Sequence, residues 1–165
     1  MTSDNSNNNN NNSGISKVLY EKVENALQDV LEYGGYSVDA FKSMKLKKIR
    51  YGYIEFEITV TKELTNSLGS LHGGASSTLL DGIGAFSYMC TQENQKELTF
   101  GVTVNMNTNF ISGAAIGETI IIKAQVEKLT KTLCFTKATI EKDDGSLVST
   151  AQIIYKIPPK FYSKL

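Results

Sequence analysis

One long apolar helix among many strands constrains this chain more than any other feature of its sequence. Between about Gly74 and Cys90, apolar residues recur every three or four positions, as on the buried face of a helix: Ala75, Leu79, Ile83, Phe86 and Cys90. The segments after it instead alternate apolar and polar residues, as strands do. A helix of this apolar character has to be covered, and a sheet is the partner that the sequence offers.

The remaining secondary structure follows from the same periodicities. Residues 17–33 have helical spacing and end at Gly34 and Gly35, and Asp143-Asp144-Gly145 forms a hairpin turn. Strands are predicted near 43–50, 52–61, 99–110, 117–129, 131–142 and 146–157. We therefore expect an α+β domain with an antiparallel sheet of five or six strands around one long central helix, and an extra N-terminal helix.

The predicted strand 99–110 alternates along its whole length. One side is expected to carry Phe100, Val102, Val104, Met106, Thr108 and Phe110, and the other Thr103, Asn105, Asn107 and Asn109.

Charge and cysteine content exclude several classes of function. The formal net charge of the 165 residues is zero and the pI is about 6.6, so nothing favours nucleic acid or an anionic membrane surface. No apolar run approaches the roughly 20 residues of a membrane span. Cys90 and Cys134 lie in apolar periodic segments without metal-ligand spacing, so we expect two buried, reduced thiols and no metal site.

The two ends differ from the middle in composition. Residues 1–14, with asparagine from position 7 to 12, cannot bury apolar surface and are expected to be disordered. Residues 15–157 form the single predicted domain. The tail 158–165 ends in Ser163-Lys164-Leu165, the tripeptide that the peroxisomal import receptor reads. We expect a peroxisomal location, with the cytoplasm as the alternative.

The start of the central helix carries the candidate chemistry. His72, Gly73 and Gly74 precede the apolar stripe, and free backbone N–H groups at a helix start favour developing negative charge. Asp81 follows two turns later, among small neighbours that another backbone can approach closely. His-Gly-Gly alone is a weak motif, and a lone histidine is more often a capping residue than a catalyst. The combination favours an enzyme that stabilises an oxyanion.

The spacing of these groups favours a dimer. Gly73 and Asp81 are eight residues apart, which is roughly 12 Å along a helix axis. A reacting carbonyl has to lie within about 3 Å of its donors and close to its base. Two antiparallel helices from two chains meet this requirement if Gly73 comes from one chain and Asp81 from the other. The prediction is a symmetric dimer with two shared sites.

An ordered set of motifs resembles the hotdog-fold acyl-CoA thioesterases. The resemblance is strongest to the thioesterase superfamily member type and weaker to the phenylacetyl- and 4-hydroxybenzoyl-CoA enzymes. The motifs, taken together over residues 18–157, are Asn66–Gly74, Thr78–Asp81, Gly101–Asn107, Ile116–Glu118 and Lys131–Phe135. The resemblance implies a hotdog fold and a homodimer that pairs into a tetramer. It implies no cofactor besides the coenzyme A of the substrate.

The resemblance also implies roles for five residues. The N–H of Gly73 polarises the thioester carbonyl, and Asn66 orients the thioester or the attacking water. Asp81 of the partner chain acts as general base or as nucleophile, which the sequence leaves open. His72 braces the helix start. Thr103 stands where close relatives have a serine that positions the water, and Gly82 stands where an asparagine is common.

Coenzyme A binding is implied at two further segments and at Asn105. One segment follows the predicted strand 99–110 and the other is a strand turn, with two lysines suited to phosphates. Their residues are Phe110, Ile111, Ser112, Gly113, Ala114, Ala115, Lys128, Leu129, Thr130, Lys131 and Thr132.

Three functions are compatible with these observations. Hydrolysis of acyl-CoA to a fatty or aryl acid and coenzyme A accounts for Asn66, Gly73 and Asp81 together. A hotdog enoyl-CoA hydratase or dehydratase usually places its histidine and carboxylate in different motifs. A non-catalytic acyl-CoA-binding module does not require the three residues at all.

Overall fold

A computed structural model describes residues 17–159 of the chain. The Asn-rich segment 1–14 and the terminal Ser163-Lys164-Leu165 lie outside the described residues, so both predictions about them stay predictions. Within the described part of the chain, no helix is both long enough and apolar enough to cross a membrane.

Residues 17–159 form three α-helices and six strands, with one turn of 3-10 helix at Lys62–Leu64. In chain order they are α1 Lys17–Tyr33, α2 Val38–Phe41, β1 Lys45–Arg50, β2 Tyr53–Thr59, α3 Gly73–Met89, β3 Val102–Phe110, β4 Thr119–Leu129, β5 Leu133–Lys142 and β6 Leu147–Lys156.

The strands form one antiparallel sheet in the order β1-β2-β4-β5-β6-β3. Helix α3 packs across this sheet and contacts β2 to β6. Leu79, Ile83, Phe86 and Cys90 of its apolar stripe are buried together with the inward residues of the strands, and Ala75 is half-buried. Phe86 meets Phe56 of β2 edge to face at 5.8 Å. The sheet therefore covers the apolar helix, as predicted.

The helix predictions agree closely with the structure. α1 begins and ends at the predicted residues and stops at Gly34 and Gly35, whose φ angles of +79° and +91° favour glycine. α3 begins one residue earlier than predicted, at Gly73. The four-residue α2 was not predicted, because a single turn is too short to show a helical period.

The predicted alternation of residues 99–110 is wrong at one point. Opposite β6, Thr103 pairs with Tyr155 and Asn105 pairs with Ile154, so Val104 is an extra residue in a β-bulge. The bulge places Thr103 on the α3 side of the sheet instead of the asparagine side.

β3 is an edge strand with an exposed apolar surface. Val102, Val104 and Phe110 are 60%, 54% and 59% exposed in the single chain. A long edge strand of this kind offers unpaired backbone groups and apolar side chains to a second chain.

Candidate active site

The loop before α3 is organised by Asn66. Its side-chain oxygen Oδ1 accepts hydrogen bonds from the N–H groups of Leu68 (2.9 Å) and Ser70 (3.3 Å). A bridge between Thr65 and Leu71 closes the loop. Asn66 therefore fixes the conformation of the loop that leads into α3. Its Nδ2 group has no hydrogen-bond partner among the described residues.

His72 caps the helix that follows. Its Nδ1 accepts a hydrogen bond from the N–H of Gly74 at 2.8 Å, and its backbone is extended. This cap holds the first turn of the helix, and the bracing role in the reaction stays a prediction. The cap also requires the tautomer that carries its proton on Nε2, because Nδ1 acts as an acceptor.

The N–H of Gly73 has no hydrogen-bond partner among residues 17–159, so it is available to an oxyanion. The ring of Phe110 lies beside it: a Cβ atom built on Gly73 would come 3.3 Å from Cε1 of Phe110. The structure thus brings the predicted oxyanion donor and one predicted coenzyme A contact together.

Asp81 is held by Thr103. The hydroxyl of Thr103 donates to Oδ1 of Asp81 at 2.7 Å, while Oδ2 has no partner within the described residues. The bulge in β3 makes this contact possible, because it turns Thr103 towards α3. The free oxygen is available to take a proton from water or to attack a carbonyl carbon.

Two residues that the sequence did not point to also hold this part of the helix. The buried hydroxyl of Tyr155 donates to the main-chain carbonyl of Asp81 at 2.6 Å. Burial, with the charge of Asp81, raises the pKa of Tyr155, which keeps the hydroxyl protonated as a donor. Phe41 of α2 packs on Gly82, next to Asp81. Neither contact has a sequence signature, because both partners come together only through the fold.

Asp81 and Thr103 lie in the wall of a largely apolar cavity of about 520 Å³. Such a volume is in the range of small-molecule sites, whose walls are mostly apolar with a few polar side chains. Across residues 17–159, no three histidine, cysteine, aspartate or glutamate side chains cluster as they would to hold a metal ion.

One chain does not bring Gly73 and Asp81 together. Both residues are on α3, eight positions apart, which corresponds to about 12 Å along its axis. The separation that the sequence implied is therefore present in the structure.

The two predicted coenzyme A segments are also separated within one chain. Ile111 bonds to Val148 at the beginning of β6, whereas Thr132 bonds to Ile157 just after its end. The segments therefore lie at opposite ends of β6, roughly 30 Å apart at the rise of a strand. Asn105 lies between these ends on the exposed edge strand β3.

Each segment is locally ordered. In the first, Ser112 donates to the carbonyl of Leu147 at 2.7 Å, Ala114 is fully buried, and a Cβ atom on Gly113 would come 2.5 Å from Oγ of Ser70. Ala115 donates its N–H to Glu118.

In the second segment, the hydroxyl of Thr130 accepts the N–H groups of Thr132 and Leu133 and tightens the β4–β5 turn. Lys128, Leu129 and Lys131 are exposed around it. The two lysines are accessible to an anion.

Comparison with known proteins agrees with this architecture. Residues 68–149 match the family model described as "Thioesterase superfamily". Human acyl-coenzyme A thioesterase 13 is 39% identical over 99 residues, which are 59% of this chain and 68% of the relative. Zebrafish thioesterase superfamily member 2 superposes with a TM-score of 0.76 at 27% identity, over 87% of this chain and 100% of that one.

A Streptococcus pneumoniae hypothetical thioesterase, solved with coenzyme A, shares the fold at 22% identity and a TM-score of 0.67, over 73% of this chain and 90% of that one. These likenesses, together with a six-stranded antiparallel sheet around one central helix, identify the hotdog fold. The chain belongs to the thioesterase superfamily.

Proposed function

We propose that this chain hydrolyses acyl-CoA thioesters to a carboxylic acid and coenzyme A. The observation that carries the proposal is the carboxylate of Asp81, fixed by Thr103 at 2.7 Å in the wall of an apolar cavity, with one oxygen free. The likeness to acyl-coenzyme A thioesterase 13 supports the substrate class.

The chemistry needs only groups that the chain supplies. The thioester carbonyl oxygen accepts a hydrogen bond from the N–H of Gly73, and negative charge develops there as the carbonyl carbon is attacked. With Asp81 as general base, Oδ2 takes a proton from water, and the resulting hydroxide adds to the carbonyl carbon. The C–S bond then breaks, and the proton held by Asp81 passes to the departing sulfur. The alternative is direct attack by Asp81, with loss of coenzyme A and hydrolysis of the mixed anhydride by water.

Substitution of Asp81 tests the activity itself. Asp81→Asn keeps the size of the side chain and the contact with Thr103, but it removes the basic oxygen. We expect release of free coenzyme A to fall by at least about 100-fold, with an unchanged unfolding midpoint. A well-folded Asp81→Asn variant that retained the wild-type rate would overturn the proposal. An assay for hydration of enoyl-CoA separates it from the hydratase alternative.

Gly73 allows a sharper test of the oxyanion donor. Proline is tolerated at the first position of a helix, and His72 already has the extended backbone that precedes a proline. Gly73→Pro therefore removes the N–H while preserving the helix, and Gly73→Ala is its control because it adds a Cβ but keeps the N–H. We expect Gly73→Pro to lower kcat on the order of 100-fold or more relative to Gly73→Ala.

We further propose that each site is shared between two chains. The eight-residue separation of Gly73 and Asp81, the opposite positions of the coenzyme A segments and the exposed apolar edge of β3 all support an antiparallel pair. A two-fold axis beside β3 would exchange the two ends of the sheet and bring the complementary halves together. Pairing of dimers into tetramers is a further proposal, which light scattering of the purified protein tests.

Mixed dimers test the shared site. In a dimer of one Asp81→Asn chain and one Gly73→Pro chain, one site would carry both changes and the other neither. Co-refolding equal amounts should therefore restore about a quarter of the wild-type activity, since about half of randomly paired dimers are mixed. If both groups acted within one chain, mixing would restore nothing.

A peroxisomal address is proposed from Ser163-Lys164-Leu165 alone. A fluorescent protein fused before residue 17 should reach peroxisomes, whereas the same fusion with a blocked carboxyl terminus should remain in the cytoplasm. Import of the fusion with the blocked carboxyl terminus into peroxisomes would contradict the proposal.

A further inference from the structure

A groove leads away from Asp81 along α3. Its walls are the helix itself, at Ala85 and Phe86, helix α1 at Val30, and the connection between α1 and α2 at Tyr36. Phe86 also meets Phe100 edge to face at 5.3 Å, which forms an aromatic end to this part of the groove. The lining changes from polar beside Asp81 to apolar within one turn of the helix.

Phe41 narrows the groove beside the carboxylate. It is 6% exposed, and its ring occupies the space that a side chain at position 82 would need: a Cβ atom built on Gly82 would lie 2.2 Å from Cζ of Phe41. The glycine thus admits the aromatic ring. Phe41 and Thr103 both line the cavity together with Asp81, so an acyl group whose carbonyl is placed at Asp81 would pass them with the carbon atoms next to the carbonyl.

The groove continues beyond the aromatic pair. A second cavity of about 890 Å³ shares Val30, Tyr36, Ser37 and Phe100 with the first and extends to Met89. Met89 is eight residues beyond Asp81, or about 12 Å along the helix. Asp81 is the one charged side chain that lines the first cavity among the described residues, whereas the outer cavity is lined by Lys22, Asp29, Lys96 and Glu97. An occupant that follows this path would be extended, and apolar next to its reacting end.

We propose that Phe41, which Gly82 admits beside the carboxylate, selects the acyl group of the substrate: it excludes branched and aryl groups next to the carbonyl and leaves room for a linear acyl chain along this groove. The inference rests on the proposed thioesterase function. An extended methylene chain fits a path that is narrow at the carboxylate and apolar along α3, whereas a ring attached next to the carbonyl would meet Phe41. Gly82 and Phe41 together thus act as a specificity determinant of this chain.

Two substitutions test the groove from opposite directions. Ala85→Leu fills it one turn beyond Asp81 and should lower the ratio of kcat/KM for octanoyl-CoA to that for acetyl-CoA by about ten-fold or more. Phe41→Ala opens it beside the carboxylate and should raise the ratio for phenylacetyl-CoA to octanoyl-CoA by a similar factor. Phe41→Leu gives the same comparison, with a smaller expected rise, if Phe41→Ala does not fold.

Leu27→Ala is the matched control for Phe41→Ala. Leu27 lies in the neighbouring helix α1, is also 6% exposed, and does not line the groove. It should leave both substrate ratios unchanged although it destabilises the fold. Unchanged ratios in Ala85→Leu would overturn the acyl groove, and an unchanged phenylacetyl ratio in the Phe41 variants would overturn the role of Phe41.

Failure of this inference is distinguishable from failure of the proposed function. If the wild-type chain released no coenzyme A from any of the three thioesters, the thioesterase proposal itself would be wrong. If the wild type is active and the variants keep its substrate ratios, the thioesterase activity stands and the groove assignment falls.

Discussion

The hydroxyl of Tyr155 donates a hydrogen bond to the main-chain carbonyl oxygen of Asp81, over 2.6 Å and between residues 74 positions apart in the chain. Tyr155 is fully buried in β6, and it reaches the helix because Gly84 has no side chain: a Cβ atom there would lie 2.2 Å from the hydroxyl oxygen. The helix is thus tied to the sheet at the residue that carries the reactive carboxylate.

Tyr155→Phe should remove this hydrogen bond between the sheet and the helix while keeping the packing of the ring. A neutral hydrogen bond contributes about 1 kcal/mol, so we expect the free energy of unfolding to fall by about that amount in a denaturant titration. We also expect kcat to fall several-fold while KM changes little, because Asp81 loses part of its positioning. Tyr51→Phe is the control, since Tyr51 is 70% exposed. A kcat equal to that of the control would mean that the bond serves stability alone.

Thr103 should be replaceable by serine but not by valine. Thr103→Val has nearly the same shape but leaves Oδ1 of Asp81 without its donor, whereas Thr103→Ser keeps the hydroxyl. We expect kcat to fall about 10–100-fold in Thr103→Val and to stay close to wild type in Thr103→Ser, as measured by thiol release. Equal rates in the two variants would contradict this role of the hydroxyl, and a Thr103→Val variant faster than Thr103→Ser would assign the effect to the methyl group instead.

Two substitutions of His72 distinguish a capping role at the start of α3 from a role in the reaction. His72→Ala removes the acceptor for the N–H of Gly74, which should cost about 1 kcal/mol of stability. Asparagine is among the best capping residues, so His72→Asn should restore most of the loss. If His72 only braces the helix, His72→Asn should also keep most of the thioesterase activity. A stable but inactive His72→Asn variant would show instead that the imidazole takes part in the reaction.

The limits of sequence reasoning are visible in particular elements of this fold. α1 was predicted at its full extent, because its helical period is uninterrupted and Gly34 ends it. The contact between Thr103 and Asp81 was not predicted, since a bulge at Val104 leaves no mark on an alternating pattern. The hydrogen bond from Tyr155 to Asp81 is even harder to predict from the sequence, because it depends on how a strand and a helix pack against each other. Local periodicity thus predicted the elements, while the tertiary packing decided which side chains meet at the carboxylate.

The buried thiol of Cys90 should make stability fall in alkaline solution. Burial raises the pKa of Cys90 to about 12, and the thiol donates to the carbonyl of Phe86 at 3.2 Å. In the unfolded chain the thiol loses its proton near pH 8.5, so between about 8.5 and 12 the unfolded state binds fewer protons than the folded state. The stabilising difference is therefore fully present below this window and is lost as the pH rises through it.

The measurement is the free energy of unfolding between about pH 9 and pH 10.5, compared for wild type and Cys90→Ala. The loss due to one thiol approaches 1.4 kcal/mol per pH unit, so the wild-type curve should be steeper than that of the variant by up to this amount. Cys90→Ala will be less stable than the wild type at neutral pH because it leaves a cavity, but a cavity does not change the slope. Parallel curves would contradict the prediction, as would alkylation of Cys90 by iodoacetamide in the folded protein.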